Sequence, residues 1–163
     1  MIDDDLKLVS SVTYQEKLDA SDLEAFAPAI GGHYRKTSDP TIDYNCLAWA
    51  VENNQKWFDP QRFCIGYYWP KDIPRIWNMA NVLMLLASYG YVENAENESF
   101  EAGYVKVAIY ADSEGVPTHF ARQVGPEKWT SKAGELIDFE HDNLECLICA
   151  DYGRVDRILK KRI

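Results

Sequence analysis

An α+β domain is the fold class this 163-residue sequence predicts. Three observations carry it: helical spacing of apolar residues in the first half, strict alternation in the second, and an order in which helix-like segments precede strand-like ones instead of interleaving with them. The length suits one domain over residues 1–163, with the patterned core at about 40–160 and an N-terminal helix and loop over 1–39. Apolar residues make up 47% and aromatic residues 13%, which excludes a disordered chain and suffices for both a core and the walls of a cleft.

Residues 13–27 read as a polar helix, capped by Thr13, with Glu16 completing a capping box and Pro28 closing it. Residues 31–40 read as loop, bounded by Gly31-Gly32 and Ser38-Asp39-Pro40. Asp43 is the expected N-cap of a helix over about 44–53, which sets Cys46, Trp49, Ala50 and Asn53 on one face. An aromatic, proline-rich loop with Trp57, Phe58, Tyr67, Tyr68 and Trp69 follows. A second helix is expected over 74–89, opened by Pro74 and closed by Gly90, with Ile76, Met79, Ala80, Leu83, Leu86 and Ala87 as its buried stripe. Alternation then predicts strands over 104–110, 117–124 and 128–132, the last two joined by a turn at Gly125-Pro126-Glu127. Residues 142–149 read as a short helix and 152–159 as a last strand.

The charge of −9 disfavours phosphate backbones as partners, suits solubility and leaves a basic protein partner possible. No basic region followed by an apolar run opens the chain, and the most apolar stretch, around 82–87, is far too short to span a bilayer; both point to a cytoplasmic protein, with signal-less secretion left open. Of the four cysteines, Cys146 and Cys149 form an isolated CxxC inside an apolar run, which reads as packing rather than as a redox or zinc site, so no metal or cofactor is expected.

The chemistry rests on Cys46 and His119. In the first turn of a helix capped at Asp43, Cys46 sits near unpaired backbone N–H groups, which favour a nucleophilic thiolate. His119 shares a strand face with Ala121 and Gln123, on the first hairpin after that helix, where it can serve as base. If the 125–127 turn sets the register, Ser131 falls opposite Ala121 and beside His119 as an orienting residue; His141 is the alternative third member. Gln123 is a candidate oxyanion donor, Lys132 a candidate to hold a carboxylate, and Asn45 and Trp49 flank the nucleophile as candidate substrate contacts. Trp57, Tyr67, Tyr68 and Trp69 are candidate cleft walls, and His33 reads as a surface residue.

The run Tyr44-Asn45-Cys46-Leu47-Ala48-Trp49-Ala50 resembles the nucleophile helix of papain-like and NlpC/P60-like cysteine hydrolases. With Gly103 to Tyr110, Pro117 to Gln123 and Trp129 to Gly134, it is also similar to an uncharacterised bacterial group of small domains patterned YNCxAWA, PTHxARQ and WTSKxG. The resemblance implies a papain-like fold with Cys46 as nucleophile and His119 as base, acting on a peptide or other amide-containing substrate through a thioester on Cys46. Two rivals stand beside this cysteine hydrolase: a non-catalytic acidic binding or inhibitor protein on the same scaffold, and a thiol-redox protein using Cys146 and Cys149.

Overall fold

The computed structural model describes residues 20–61 and 66–163. Within it the alternating segments become one antiparallel sheet. Its strands are β1 (Tyr34–Ser38), β4 (Glu93–Asn94), β5 (Tyr104–Ala111), β6 (Pro117–Gly125), β7 (Lys128–Lys132), β8 (Asp138–His141) and β9 (Arg154–Arg162), in the order β1-β8-β7-β6-β5-β9-β4. A separate parallel pair joins β2 (Trp57–Phe58) to β3 (Tyr67–Tyr68). The architecture is mixed α+β with few helices.

Both faces of the central strands are covered, and this governs everything about the site. On one face, α1 (Ala20–Phe26), the 3-10 turn Pro28–Ile30 and Tyr152 pack on Ala108, Tyr110, Ala121, Trp129 and Phe139. On the other, α2 (Cys46–Ala50) and α3 (Met79–Ser88) pack on Val107, Ile109, Phe120 and Leu159. That is why β5 reads Val-Lys-Val-Ala-Ile-Tyr: alternate residues enter two different cores rather than a core and solvent.

Several boundaries differ from expectation. Helix α2 has five residues and is capped by Asn45, whose Oδ1 accepts from the Ala48 N–H at 3.2 Å; the Asp43 N–H instead donates to Thr41 Oγ1 at 3.1 Å in the turn before it. So short a helix has little stability of its own and is held by packing against β6 and β7. Helix α3 begins at Met79, capped by Asn78, because the Asn81 side chain donates to Ile76 O and holds 76–78 outside the helix. Its buried face is Asn81, Val82, Leu85 and Leu86, while Ile76, Ala80 and Ala87 point outward. The near-continuous apolar run 82–87 defines no unique stripe, so tertiary contact decides the rotation. Gly90 closes the helix at φ 96°, as expected.

Strands β1 and β8 were unexpected. Arg35, Lys36 and Thr37 on the edge strand β1 are all exposed, so they carry no alternation, and Asp-Phe-Glu-His in β8 reads as polar. In place of a helix over 142–149 there is a 3-10 turn, Glu145–Leu147, because Asn143 Oδ1 takes the Cys146 N–H at 2.8 Å in a local turn. Strand β9 runs on through its charged end to Arg162, laddered against Tyr104. Of the helix expected over 13–27, residues 20–26 are helical and 13–19 lie outside the described residues, as does Cys64.

One glycine is required. Gly153 sits at φ +71°, and a Cβ there would lie 2.0 Å from Ala111 O. We expect Gly153→Ala to cost at least about 2 kcal/mol, from backbone strain and forced separation from the end of β5. Urea unfolding checks this, and a midpoint equal to wild type would refute it.

Candidate functional site

Cys46 is the first residue of α2 and lines a cavity of about 570 Å³ together with Asn45, Trp57, Phe58, Pro60, Arg75 and Trp77. Asn45 is held by the backbone: its Oδ1 accepts from Ala48 N and Phe58 N, and its Nδ2 donates one of its two N–H bonds to Phe58 O at 2.7 Å. It is a strut that ties α2 to β2 and fixes the cavity floor. Burial pushes the Cys46 thiol up to about 11; the amides of Phe120 and Leu47 and the charge of Lys132 pull against that without overcoming it. At neutral pH the group is a thiol.

Behind Cys46 lies Lys132, fully buried, its ammonium donating to Thr41 O at 2.8 Å, Gly134 O at 2.6 Å and Leu136 O at 2.6 Å and facing the Tyr44 ring at 5.2 Å. Tyr44 donates its hydroxyl to Asp138 Oδ2 at 3.0 Å. All three N–H bonds of the ammonium are used, so Lys132 is a fixed structural charge rather than a proton acceptor or a hand for a substrate carboxylate.

A second polar chain lies on the opposite face of the sheet. Register pairs Ala121 with Ser131 and Trp129 with His141, which brings Ser131 Oγ within 3.0 Å of His119 Nε2 and 2.9 Å of His141 Nε2. Donor balance sets the protons. His141 Nδ1 faces Asn143 O at 2.8 Å and must carry hydrogen, so its Nε2 accepts from the Ser131 hydroxyl, and Ser131 Oγ accepts from His119 Nε2–H. His119 Nδ1 is left buried without a partner among the described residues, in a ring stacked on Tyr152 at 4.0 Å. The Cys146 thiol donates to Asn143 O at 3.2 Å. Burial drives His119 well below its ordinary pKa, helped by the neighbouring His141, and takes His141 down to about 4 against the pull of the Asn143 carbonyl.

The expected catalytic pair is therefore not assembled. His119 projects into the core that holds Tyr110 and Tyr152, whereas Cys46 packs into the core that holds Phe120, on the reverse face. The thiol meets the backbone of Phe120, the residue next to His119, but alternation turns the imidazole away. Ser131 and His141 stand beside His119 and not beside the thiol. Gln123 shares the face of His119 and donates to Glu98 O at 2.8 Å, so it is no oxyanion donor to Cys46. His33 pairs with Asp142 at the exposed edge, and none of the three histidines in the chain lines the cavity.

A family model described as Domain of unknown function (DUF7689) matches residues 35–160. The chain belongs to this family. No curated protein and no solved structure matches it. In this DUF7689 chain the match begins within β1 and ends within β9, so it takes in the cavity and the buried histidine chain together.

Trp49 on α2 of the DUF7689 chain is anchored to the sheet and does not line the cavity: its indole donates to Thr130 Oγ1 at 2.9 Å, Tyr44 stacks on it at 5.4 Å and Arg122 lies over it at 5.5 Å. Trp57 does line the cavity, stacked on Tyr67 at 5.9 Å, whereas Trp69 is core. Arg75 and Trp77 had no motif to mark them; they lie in the irregular segment before α3 that the sequence suggested was helix. Among the described residues no group of three or more His, Cys, Asp or Glu is placed to hold a metal, and no helix is long and apolar enough to cross a membrane.

Proposed function

We propose that this DUF7689 domain is a non-catalytic binding protein that takes a peptide or other amide-containing ligand into the Cys46 cavity. The observation that carries the reading is the separation of thiol and imidazole by the sheet, beside a cavity whose walls are aromatic and whose thiol is uncharged. The reading keeps the papain-like scaffold, a cysteine in the first turn of a helix packed on an antiparallel sheet, but with the position of the base turned to the other face. Free thiols at Cys46, Cys146 and Cys149 support a cytoplasmic place of action.

Alkylation separates this from a cysteine hydrolase. With a thiol pKa near 11, Cys46 should react slowly with iodoacetamide at pH 6, and its rate should climb about tenfold per pH unit between 7 and 10. His119→Ala should leave that rate unchanged within about twofold in a variant that remains folded, because no proton passes between the two. Rapid labelling at pH 6 that is lost in His119→Ala would restore the hydrolase and overturn the binding reading.

A further inference from the structure

Arg75 lines the cavity and makes no ion pair among the described residues. Of 26 acidic residues in the chain none pairs with Arg75 among the described residues, although Arg35, Arg122 and Arg157 are each matched to a carboxylate. Arg75 Nη1 donates to Pro60 O at 3.2 Å. That single bond tethers the guanidinium at the cavity wall and leaves its other N–H groups for an acceptor. The remaining lining is apolar or already engaged. Phe58 forms the buried wall, the Trp77 indole N–H is spent on Pro117 O at 2.9 Å, and Asn45 is tied to the backbone of Ala48 and Phe58. Asp59, in a turn with its Oδ1 accepting from the Gln61 N–H at 2.9 Å, puts a negative charge on the same lining. That charge disfavours a dianion in the cavity.

We infer that the Cys46 cavity receives a monocarboxylate on an aromatic or branched apolar body, its carboxylate on the Arg75 guanidinium and its body against Trp57, Phe58 and Trp77. This rests on the binding reading above and narrows it to ligands of one kind. A planar fork matches a carboxylate in two parallel hydrogen bonds, and aromatic walls reward the apolar body. The chemistry has two sources, a free aromatic acid or the C-terminal residue of a peptide.

The test is a tryptophan-fluorescence titration of the full chain with N-acetyl-L-phenylalanine, its amide, and an acetylated Ala-Ala-Phe peptide with a free C-terminus. The acids should bind saturably and at least about tenfold more tightly than the amide. Tighter binding of the peptide than of the single residue identifies a chain terminus as the source; the reverse order identifies a small acid. Arg75→Gln should bring the acid down to the amide's affinity while leaving the amide unchanged, which also reports that the cavity is intact. Arg75→Lys, keeping charge but losing the fork, should fall between. Equal binding of acid and amide to wild type, or an acid preference that survives in Arg75→Gln, overturns the carboxylate inference and leaves the binding reading standing. Absence of saturable binding by any of the three probes overturns the inference as well, and the alkylation profile of Cys46 then decides the binding reading separately.

Discussion

Lys132→Met should destabilise the domain by about 3–5 kcal/mol, the range for removing one partner from a buried, fully hydrogen-bonded charge. The three carbonyls that hold the ammonium come from separate places: Thr41 from the chain leading into α2, Gly134 and Leu136 from the turn between β7 and β8. Methionine fills the space of the stem but offers no donor, and an orphaned buried acceptor costs about 1–3 kcal/mol. The count of acceptors also says which form of the lysine is present. A neutral amine has two N–H groups, so one carbonyl would face its lone pair; three short contacts require the ammonium. Burial lowers the Lys132 pKa to about 8, opposed first by the charge of Asp138, which keeps it protonated at neutral pH. Asp138 Oδ1 is buried without a partner among the described residues, so losing the nearby cation leaves that carboxylate worse off. Adding Asp138→Asn to Lys132→Met should therefore recover at least about 1 kcal/mol, a coupling expected only for groups that interact. Urea unfolding at pH 7 measures both variants. A single variant within about 1 kcal/mol of wild type would sink the argument.

The register of the hairpin was legible in the sequence except at its turn, where Val124 is bulged and Gly125, not Val124, pairs with Lys128. The turn at 125–127 fixed β6 against β7, and with it Ala121 opposite Ser131 and Ser131 beside His119, since a turn of given length sets register and register sets faces. What alternation could not say was which face belonged to which core. With solvent on one side of a sheet, apolar and polar residues label the sides; with helices on both sides, Ala108 and Ile109 look alike while entering different cores. His119 and Cys46 were joined on the premise that a strand presents its chemistry to the helix just before it. Polar residues on the α2 side of the sheet include Arg122, Thr130, Lys132 and Asp138, of which only Lys132 is a candidate from sequence, and its three carbonyls exclude a substrate carboxylate. Short elements were the least readable part. Five-residue α2 has one turn of periodicity, and edge strand β1 has no buried side to alternate with. Arg75 and Trp77 became site residues only through tertiary contact with Pro60 and Pro117.

The histidine pair makes the domain acid-labile well above the range of ordinary carboxylate titration. A neutral imidazole buried in the fold has its pKa lowered, so the unfolded state, with histidine near 6.5, binds protons that the folded state refuses. The contribution is fully present above about pH 6.5 and is lost as pH falls, until the folded pKa is reached. For His141, taken from 6.5 to about 4, the loss by pH 4 is about 3 kcal/mol at about 1.4 kcal/mol per unit. His119 adds a loss of the same sign that continues to lower pH. Charges near the chain do not cancel this: Asp142 faces His141 from the following turn, while Ser131, Tyr110, Tyr152 and Cys146 around the two rings are neutral. The window from pH 6.5 to 5 is the clean one, because most carboxylates stay ionised there. Across it the urea midpoint should fall with a slope approaching two protons, and His141→Gln or His119→Gln should each remove about one of them. The single variants will be less stable than wild type at pH 7.5, since each breaks a link to Ser131, so the slope and not the absolute stability is the readout. A midpoint independent of pH over this window would mean that the two imidazoles take up protons in the fold as they do in the unfolded chain, and the proton assignment along His141, Ser131 and His119 would then be wrong.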